Sequence, residues 1–249
     1  MQITELENLR ATPNPLYKTL SVVIPVHNES KTIEAVIELV AKAQVHGLQK
    51  EIIIVDDYSN DGTTEKLKKI NRQEVRVIFA ETNTGKGGAL QKGFQYAKGD
   101  LIIIQDADLE YDPYEYENLL KPFFTDKADI VFGSRYLQSN TRQVTYYWHT
   151  MFNKLFSHFS NLFTNLYLTD VMTCYKAFTK KVLNETVKKM TSQKFGFEVE
   201  FTARVANKEY KIVEVPISYY PRSVKAGKHM KIKDALECAW SVIKFRFTK

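Results

Sequence analysis

Short apolar runs recur along the first half of the chain, and each stops at a cluster of charged, polar or glycine residues. Leu20 to Val26, Glu51 to Val55, Val75 to Ala80, the run starting at Leu101, and Asp129 to Phe132 all have strand character. Stretches of helical period lie between them. Ser30 to His46 carries Ile33, Ile37, Val40 and Ala41 on one stripe and meets a stop at Gly47. The turn-rich segment from Asp57 to Gly62 closes the second strand, and a short helix follows. The third strand leads through a glycine-rich loop to a helix ending near Ala97. Asp112, Pro113 and Glu115 read as an N-cap, a proline at the first helical position and a capping-box glutamate. This alternation predicts an α/β fold, a mostly parallel central sheet flanked by helices, with ligands at the carboxyl ends of the strands.

The run LIIIQDADLE, Leu101 to Glu110, narrows what happens at one of those ends. Apolar residues form the strand, and Asp106, Asp108 and Glu110 follow. In an extended segment, side chains two apart share a face, so three carboxylates converge where the strand surfaces. An oxygen-rich set of this kind suits a hard cation, Mg²⁺ or Mn²⁺, with a substrate diphosphate filling the other positions. A strand ending in a solvated acidic turn would carry the same letters, so the surrounding motifs decide.

Composition bounds the remaining classes. The 249 residues are 44% hydrophobic and 26% charged, enough to bury a sizeable core. No stretch is apolar enough to span a membrane, and the first twenty residues do not read as a secretory signal. Cys174 and Cys238 are too few for a disulfide framework; they point to packing roles in a reducing cytoplasm. The net charge of +6 arises after Asn207, where Lys208 to Lys249 carries ten Lys or Arg against four Asp or Glu. A basic C-terminal segment fits a phosphate-bearing partner (nucleotide, nucleic acid or anionic membrane) or simply a solvated surface.

The second half changes character. Val144 to Leu168 places Trp148, Phe152, Phe156, Phe159, Phe163 and Tyr167 at helical spacing, with Lys154 as its only formal charge. That stripe admits two readings: the core face of a helix on the sheet, or a surface at headgroup depth that guides a lipid tail. The segment Val171 to Phe178 follows, then a helix from Lys180, another from Phe197 to Asn207, the strand Lys211 to Tyr220, a basic loop and an amphipathic tail helix from about Ile232. Trp240, Ile243, Phe245 and Phe247 beside Lys244 and Arg246 give that tail a second membrane-compatible face. With no linker in view, residues 1–249 read as one domain. Residues 1–19 are an extension, 20–135 a nucleotide half and 136–249 an acceptor half.

Five loops after strands now carry motifs. They are Pro25 to Glu29, Asp56 with Asp57, Asn83 to Gly88 around Lys86, Asp106 with Asp108, and Gly133 to Arg135. In this order they resemble family 2 glycosyltransferases of the GT-A, nucleotide-diphospho-sugar transferase fold. The dolichyl-phosphate mannosyltransferase and glucosyltransferase branch is the nearest in pattern. IIIVDDYSNDGT resembles that branch's VVDDGSxDGT, and NTGKGGALQKGFQYAKGD its NxGKGxAxxxGxxxAxGD. DADLEYDPYEY, FGSRY and DVMTCYKAF match as well, and the likeness runs from about Leu20 to the C-terminus. There is no GxxxxGK[ST] loop, and no Gly-x-Gly-x-x-Gly follows the first strand.

The resemblance assigns roles. Pro25 and His27 form the platform for a base, and His27 stands where the family usually has Tyr. Glu29, Asp56 and Asp57 accept hydrogen bonds from base and ribose, although turn capping is the plainer role for either aspartate. Lys86 sits among glycines that permit close approach to phosphate. Asp106 and Asp108 hold the metal that bridges the donor diphosphate. Glu110, where the family often has Gln, completes the set. Asp108, Arg135 and Asp170 form the catalytic group. Arg135 and Arg222, joined by Arg142, reach the acceptor or diphosphate phosphates, since a planar fork fits phosphate oxygens. Arg222, Lys225 and Lys228 lie in a loop like the family's late basic loop, which closes over diphosphate and acceptor phosphate. Glu200 faces the acceptor side, faces the diphosphate pocket, or caps and pairs.

Acceptor chemistry separates the readings. A sugar hydroxyl needs a general base, for which Asp170 and Glu200 are the candidates. A polyprenyl phosphate, with a second pKa of roughly 6, is already ionised and needs only cations to position it. The sequence therefore reads as an inverting, metal-dependent glycosyltransferase. It would move a hexose, mannose or glucose, from a GDP- or UDP-sugar to polyprenyl or dolichyl phosphate. It would sit peripherally on the cytoplasmic face of a membrane, and a separate membrane-embedded protein is a further candidate partner. The alternatives are a hydroxyl-acceptor glycosyltransferase, a sugar-phosphate nucleotidyltransferase, a catalytically dead sugar-nucleotide sensor, and a nucleic-acid-binding module. The last is disfavoured because the acidic cluster repels phosphate unless a metal intervenes.

Overall fold

The computed structural model describes residues 16–137, 143–193, 196–222 and 232–247. Its centre is a seven-stranded sheet. The strands are β1 (Thr19–Val26), β2 (Gln49–Asp56), β3 (Val75–Phe79), β4 (Leu101–Ile104), β5 (Ile130–Ser134), β6 (Lys176–Thr179) and β7 (Ile212–Pro216). Their spatial order is β3-β2-β1-β4-β6-β5-β7. Only β6 runs against its neighbours, β4 and β5; the other pairs are parallel. Six strands therefore point the same way, and their carboxyl ends gather along one edge of the sheet.

The central strands are buried on both faces, which is why they read as unbroken apolar runs rather than alternating ones. Leu101 to Ile104 is buried throughout, as is β1 from Leu20 onward. Each such side chain removed from water contributes roughly 1.5–3 kcal/mol before entropy is counted. Pro25 sits inside β1, yet it costs no ladder bond on the β4 side. That pairing ends at Val23 opposite Ile104, so the missing N–H falls beyond it.

Helices flank the sheet: α1 (Ile33–Lys42), α2 (Thr63–Leu67), α3 (Gly85–Phe94), α4 (Tyr116–Thr125), α5 (Tyr147–Thr164), α6 (Lys180–Glu185), α7 (Gly196–Val205) and α8 (Ile232–Phe247). Helix α1 is shorter than the stretch Ser30 to His46. Its amino end waits for the turn in which Glu29 O accepts from Thr32 and Ile33 N–H, and beyond Ala43 both His46 and Gly47 take positive φ. Lys50, at the start of β2, closes its far end by donating to the carbonyls of Val40, Ala41 and Ala43. A cation there also suits the negative end of the helix dipole.

Two further expectations are modified. Asp112 does cap, accepting from Tyr114 N at 2.9 Å, but it opens a single 3₁₀ turn, Pro113–Glu115. Glu115 does not reach back to that cap. It accepts from Ser218 N and Oγ at 2.9 and 2.7 Å and ties the turn to the segment after β7. The aromatic stripe divides along α5. Phe156 is buried and Phe159 and Phe163 pack on the core, whereas Trp148 is 79% exposed, Phe152 42% and Tyr167 92%. Among the described residues no helix is long and apolar enough to cross a membrane.

Candidate active site

Loops after β1, β2, β4, β5 and β7, with the start of α3, converge at the shared edge of the sheet. Two cation–carboxylate clusters dominate it. In the first, the Arg222 guanidinium lies among three carboxylates. Nη1 is 3.1 Å from both oxygens of Glu29, Nη2 is 2.7 Å from Asp108 Oδ2, and Nε is 3.3 Å from Glu110 Oε1. The Arg222 backbone N–H also donates to Glu110, and Tyr219 OH donates to its other oxygen at 2.9 Å. Thr32 Oγ1 donates to Ala107 O at 2.7 Å and touches Glu29, so the β1 loop is tied to the Asp-Ala-Asp turn. That turn holds Leu109 at φ 61°, the left-handed region, which brings Glu110 N–H onto Asp108 Oδ1.

In the second cluster, Lys86 Nζ lies 2.8 Å from Asp106 Oδ1 and 2.9 Å from Glu198 Oε1. Burial works against that ammonium, but Asp106 and Glu198 outweigh it and hold the Lys86 pKa well above its ordinary value. Among the described residues, Asp108 shares its cation, Arg222, with Glu29 and Glu110. Burial first, then Asp106 and Glu110, push its carboxyl up to about 7 against the pull of Arg222.

Arg135, directly after β5, forms a fork with Asp170. Nε and Nη2 are 2.7 and 2.8 Å from its two oxygens, and the Arg135 backbone N–H donates to it at 3.1 Å. Asp170 is fully buried, and Tyr219 stacks on the guanidinium with 5.0 Å to its ring centroid. A crevice beside this pair is lined by Gln143, Thr145, His149 and Tyr219, at the amino end of α5.

The base-side residues are held by the framework. Asp57 accepts from Thr84 N and Oγ1 and from Gly85 N at 2.8, 2.9 and 2.7 Å, which fixes the start of α3. Asp56 accepts from Ser59 N and Thr64 Oγ1. His27 Nδ1 lies 2.8 Å from Asp57 O, and Pro25 is buried below it in β1. The close approach that Gly87 permits is to the chain's own Ser192 carbonyl, only 2.4 Å from where a Cβ would stand.

Glu29, Lys86, Asp106, Asp108, Glu110 and Arg222 are thus brought together, with Arg135 and Asp170 alongside through Tyr219. Glu200 stands apart. It is fully buried, accepts from Thr191 and Ser192 N–H, and pairs with Arg204 at 2.6 Å. Arg142, Lys225 and Lys228 lie outside the described residues. Sequence reasoning missed Glu198 and Tyr219. The signal was present in Gly196 to Glu200: side chains two apart on a helix face nearly opposite ways, so only one glutamate of the pair can meet the site. Glu198 does so, and its Oε2 is buried without a hydrogen-bond partner among the described residues.

The family model for glycosyl transferase family 2 matches residues 21–187. The polyprenol monophosphomannose synthase of Mycolicibacterium smegmatis is 29% identical over 88% of this chain and 83% of its own length. The undecaprenyl-phosphate mannosyltransferase of Micrococcus luteus is 29% identical over 83% of this chain and 85% of its own length. The dolichol-phosphate mannosyltransferase of Pyrococcus furiosus is 28% identical over 86% of this chain, which spans 59% of that relative. Among solved structures, glucosyl-3-phosphoglycerate synthase from Mycobacterium tuberculosis, in complex with Mn²⁺, UDP and phosphoglyceric acid, superposes with a TM-score of 0.68 at 20% identity. That match covers 98% of this chain and 81% of the synthase, and a complex of the same synthase with Mg²⁺ and UDP gives a TM-score of 0.67. The likeness identifies the fold as GT-A.

Proposed function

This chain belongs to glycosyl transferase family 2 and is a glycosyltransferase, and from that premise we propose that it moves a hexose, mannose or glucose, from a GDP- or UDP-sugar to a polyprenyl phosphate with inversion at the anomeric carbon. One observation carries the choice of acceptor. Both carboxylates that would serve as general base are committed to arginines: Asp170 to Arg135 and Glu200 to Arg204. A hydroxyl acceptor needs a proton removed in the transition state, whereas a phosphate monoester arrives ionised. A site rich in fixed cations, with both candidate bases paired to arginines, suits the second. The names of the relatives support the same acceptor.

The residues divide the work by position. Asp56, Asp57 and His27 shape the base and ribose side. Lys86 and Arg222 would meet the diphosphate, and Arg135 would meet the acceptor phosphate in the crevice that opens toward α5. Asp170 orients Arg135 and keeps it from folding away. Asp106 and Asp108 fit a hard divalent cation, since both offer carboxylate oxygens at a strand end. Among the described residues no group of three or more His, Cys, Asp or Glu side chains converges to hold a metal alone, so the donor diphosphate would complete the set. When bound, the cation neutralises charge on the departing nucleoside diphosphate. The exposed aromatics of α5 and the basic C-terminal segment support contact with a membrane surface, and the cytoplasmic face is the proposed side.

The test is direct. The protein is incubated with Mn²⁺ or Mg²⁺, a panel of GDP- and UDP-sugars and polyprenyl phosphate, and products are identified by mass. A hexosyl-phosphoryl lipid is expected, lost on chelation, with a rate falling on the acid side near the acceptor's pKa of roughly 6. Transfer to glycan hydroxyls with none to the lipid phosphate would refute the reading.

A further inference from the structure

We infer that Arg222 is an internal counter-cation of the metal site, which surrenders Asp108 to the metal more readily when a donor diphosphate is there to receive its guanidinium. The inference rests on the metal-dependent reading above and adds an order of events to it. Three observations carry it. The first is how the fork is spent. Nη1, Nη2 and Nε each address a different carboxylate, Glu29, Asp108 and Glu110. A fork shared in this way serves as a central cation for three acids and gives none of them the bidentate pairing it is built for.

The second is competition for one atom. Arg222 Nη2 stands 2.7 Å from Asp108 Oδ2. A divalent cation would bind such an oxygen at roughly 2.0–2.1 Å and would bring its charge almost onto the guanidinium. Held at one carboxylate, the two cations repel, so a metal at Asp108 weakens the Arg222 contact. The third is the arrangement of the other cation. Lys86 is already divided between Asp106 and Glu198, so it does not replace Arg222 at Asp108.

Metal arriving alone must therefore take Asp108 from the guanidinium and leave it only the contacts with Glu29 and Glu110 that it already makes. Metal arriving with a diphosphate gives that guanidinium a planar, bidentate partner. The two ligands should then strengthen each other's binding, and by linkage the effect is reciprocal. The Arg222 backbone N–H is anchored on Glu110, so the exchange can be made by rotation of the side chain.

The test follows free Mn²⁺ by its electron paramagnetic resonance signal. Mn²⁺ is titrated into the wild type and into Arg222→Met, with and without a nucleoside diphosphate, after correction for Mn²⁺ held by free nucleotide. Without nucleotide, Arg222→Met should bind Mn²⁺ about 10-fold more tightly than the wild type, and the gain from adding nucleotide should shrink by a similar factor. If the variant binds Mn²⁺ no better than the wild type, while the wild type takes it up normally with nucleotide, this inference falls and the metal-dependent reading stands. If neither protein takes up Mn²⁺ under any condition, both fall. A second measurement does not depend on the variant folding. In ¹⁵N-arginine-labelled wild type, saturating Mg²⁺ should move the Arg222 Nε resonance, and added diphosphate should move it again. Saturation by Mg²⁺ with that resonance unmoved would overturn the inference.

Discussion

Asp170→Asn isolates the role of the Arg135–Asp170 pair. Asp170 is wholly buried, the Arg135 side chain is 9% exposed, and the carboxylate takes three N–H donors from that one residue. Removing one partner of a buried, hydrogen-bonded ion pair costs about 3–5 kcal/mol, because the other charge is left without a counter-charge. Asparagine keeps one oxygen acceptor but turns an NH₂ toward the guanidinium, so the lower end, about 3 kcal/mol, is the expected loss. At this chain length each kcal/mol is worth about 2–4 °C, so the melting temperature should drop by about 6–12 °C. Circular dichroism melts and urea titrations measure it, and a drop under about 2 °C would refute the reasoning. A double-mutant cycle with Arg135→Met and Asp170→Leu separates the pair from its surroundings. The double variant should recover most of the single-variant loss in stability while still losing transfer. The mechanistic consequence follows from the same geometry. If Asp170 only orients Arg135, Asp170→Asn retains measurable turnover with a raised acceptor KM, and Arg135→Ala is the more damaging change. Turnover abolished in a folded Asp170→Asn protein, with donor binding intact, would make Asp170 a general base and favour a hydroxyl acceptor.

Gly87→Ala should destabilise by about 1–3 kcal/mol, because the added Cβ would stand 2.4 Å from the Ser192 carbonyl and the clash is with backbone, so α3 or the Ser192 segment must shift; an unchanged melt would contradict that packing. Trp148→Ala with Phe152→Ala should leave the melt almost unchanged, since both side chains are exposed, yet weaken co-sedimentation with anionic lipid vesicles about 10-fold or more. Equal vesicle binding by the double variant would remove α5 from the membrane contact.

The sequence made the edges of the site legible and left its pairings hidden. Period and composition found the buried strands because a strand covered on both faces must be apolar throughout. That is a local property, and it sufficed to place Asp56, Asp57, Asp106, Asp108 and Arg135 at strand ends. The aromatic stripe was legible as a helix but not as a divided one, because burial depends on what packs against each turn. Phe159 and Phe163 meet the core, while Trp148 lies about two turns before Phe156, the first buried aromatic of α5. Local geometry can also sit where the letters argue against it. Tyr58 takes φ 64° at a position where the resembling motif has glycine, and only the surrounding turn makes that conformation tolerable.

Which carboxylate serves which cation is another kind of information. Arg222 meets Glu29 across 193 positions and Asp108 across 114, and Lys86 meets Glu198 from another helix. No periodicity encodes such contacts; they follow from a topology that returns six strand ends to one edge. The pair Glu198 and Glu200 shows the limit. The letters gave two acids in one short segment, and helix geometry requires them to diverge, but neither says which faces inward. Glu200 accepts the free N–H groups of Thr191 and Ser192 and pairs with Arg204, all within nine residues of itself. With that carboxylate turned to its own neighbourhood, the opposite face of α7 carries Glu198 to Lys86 and Asp106. The acid that reaches the site is therefore the one on the helix face opposite Glu200.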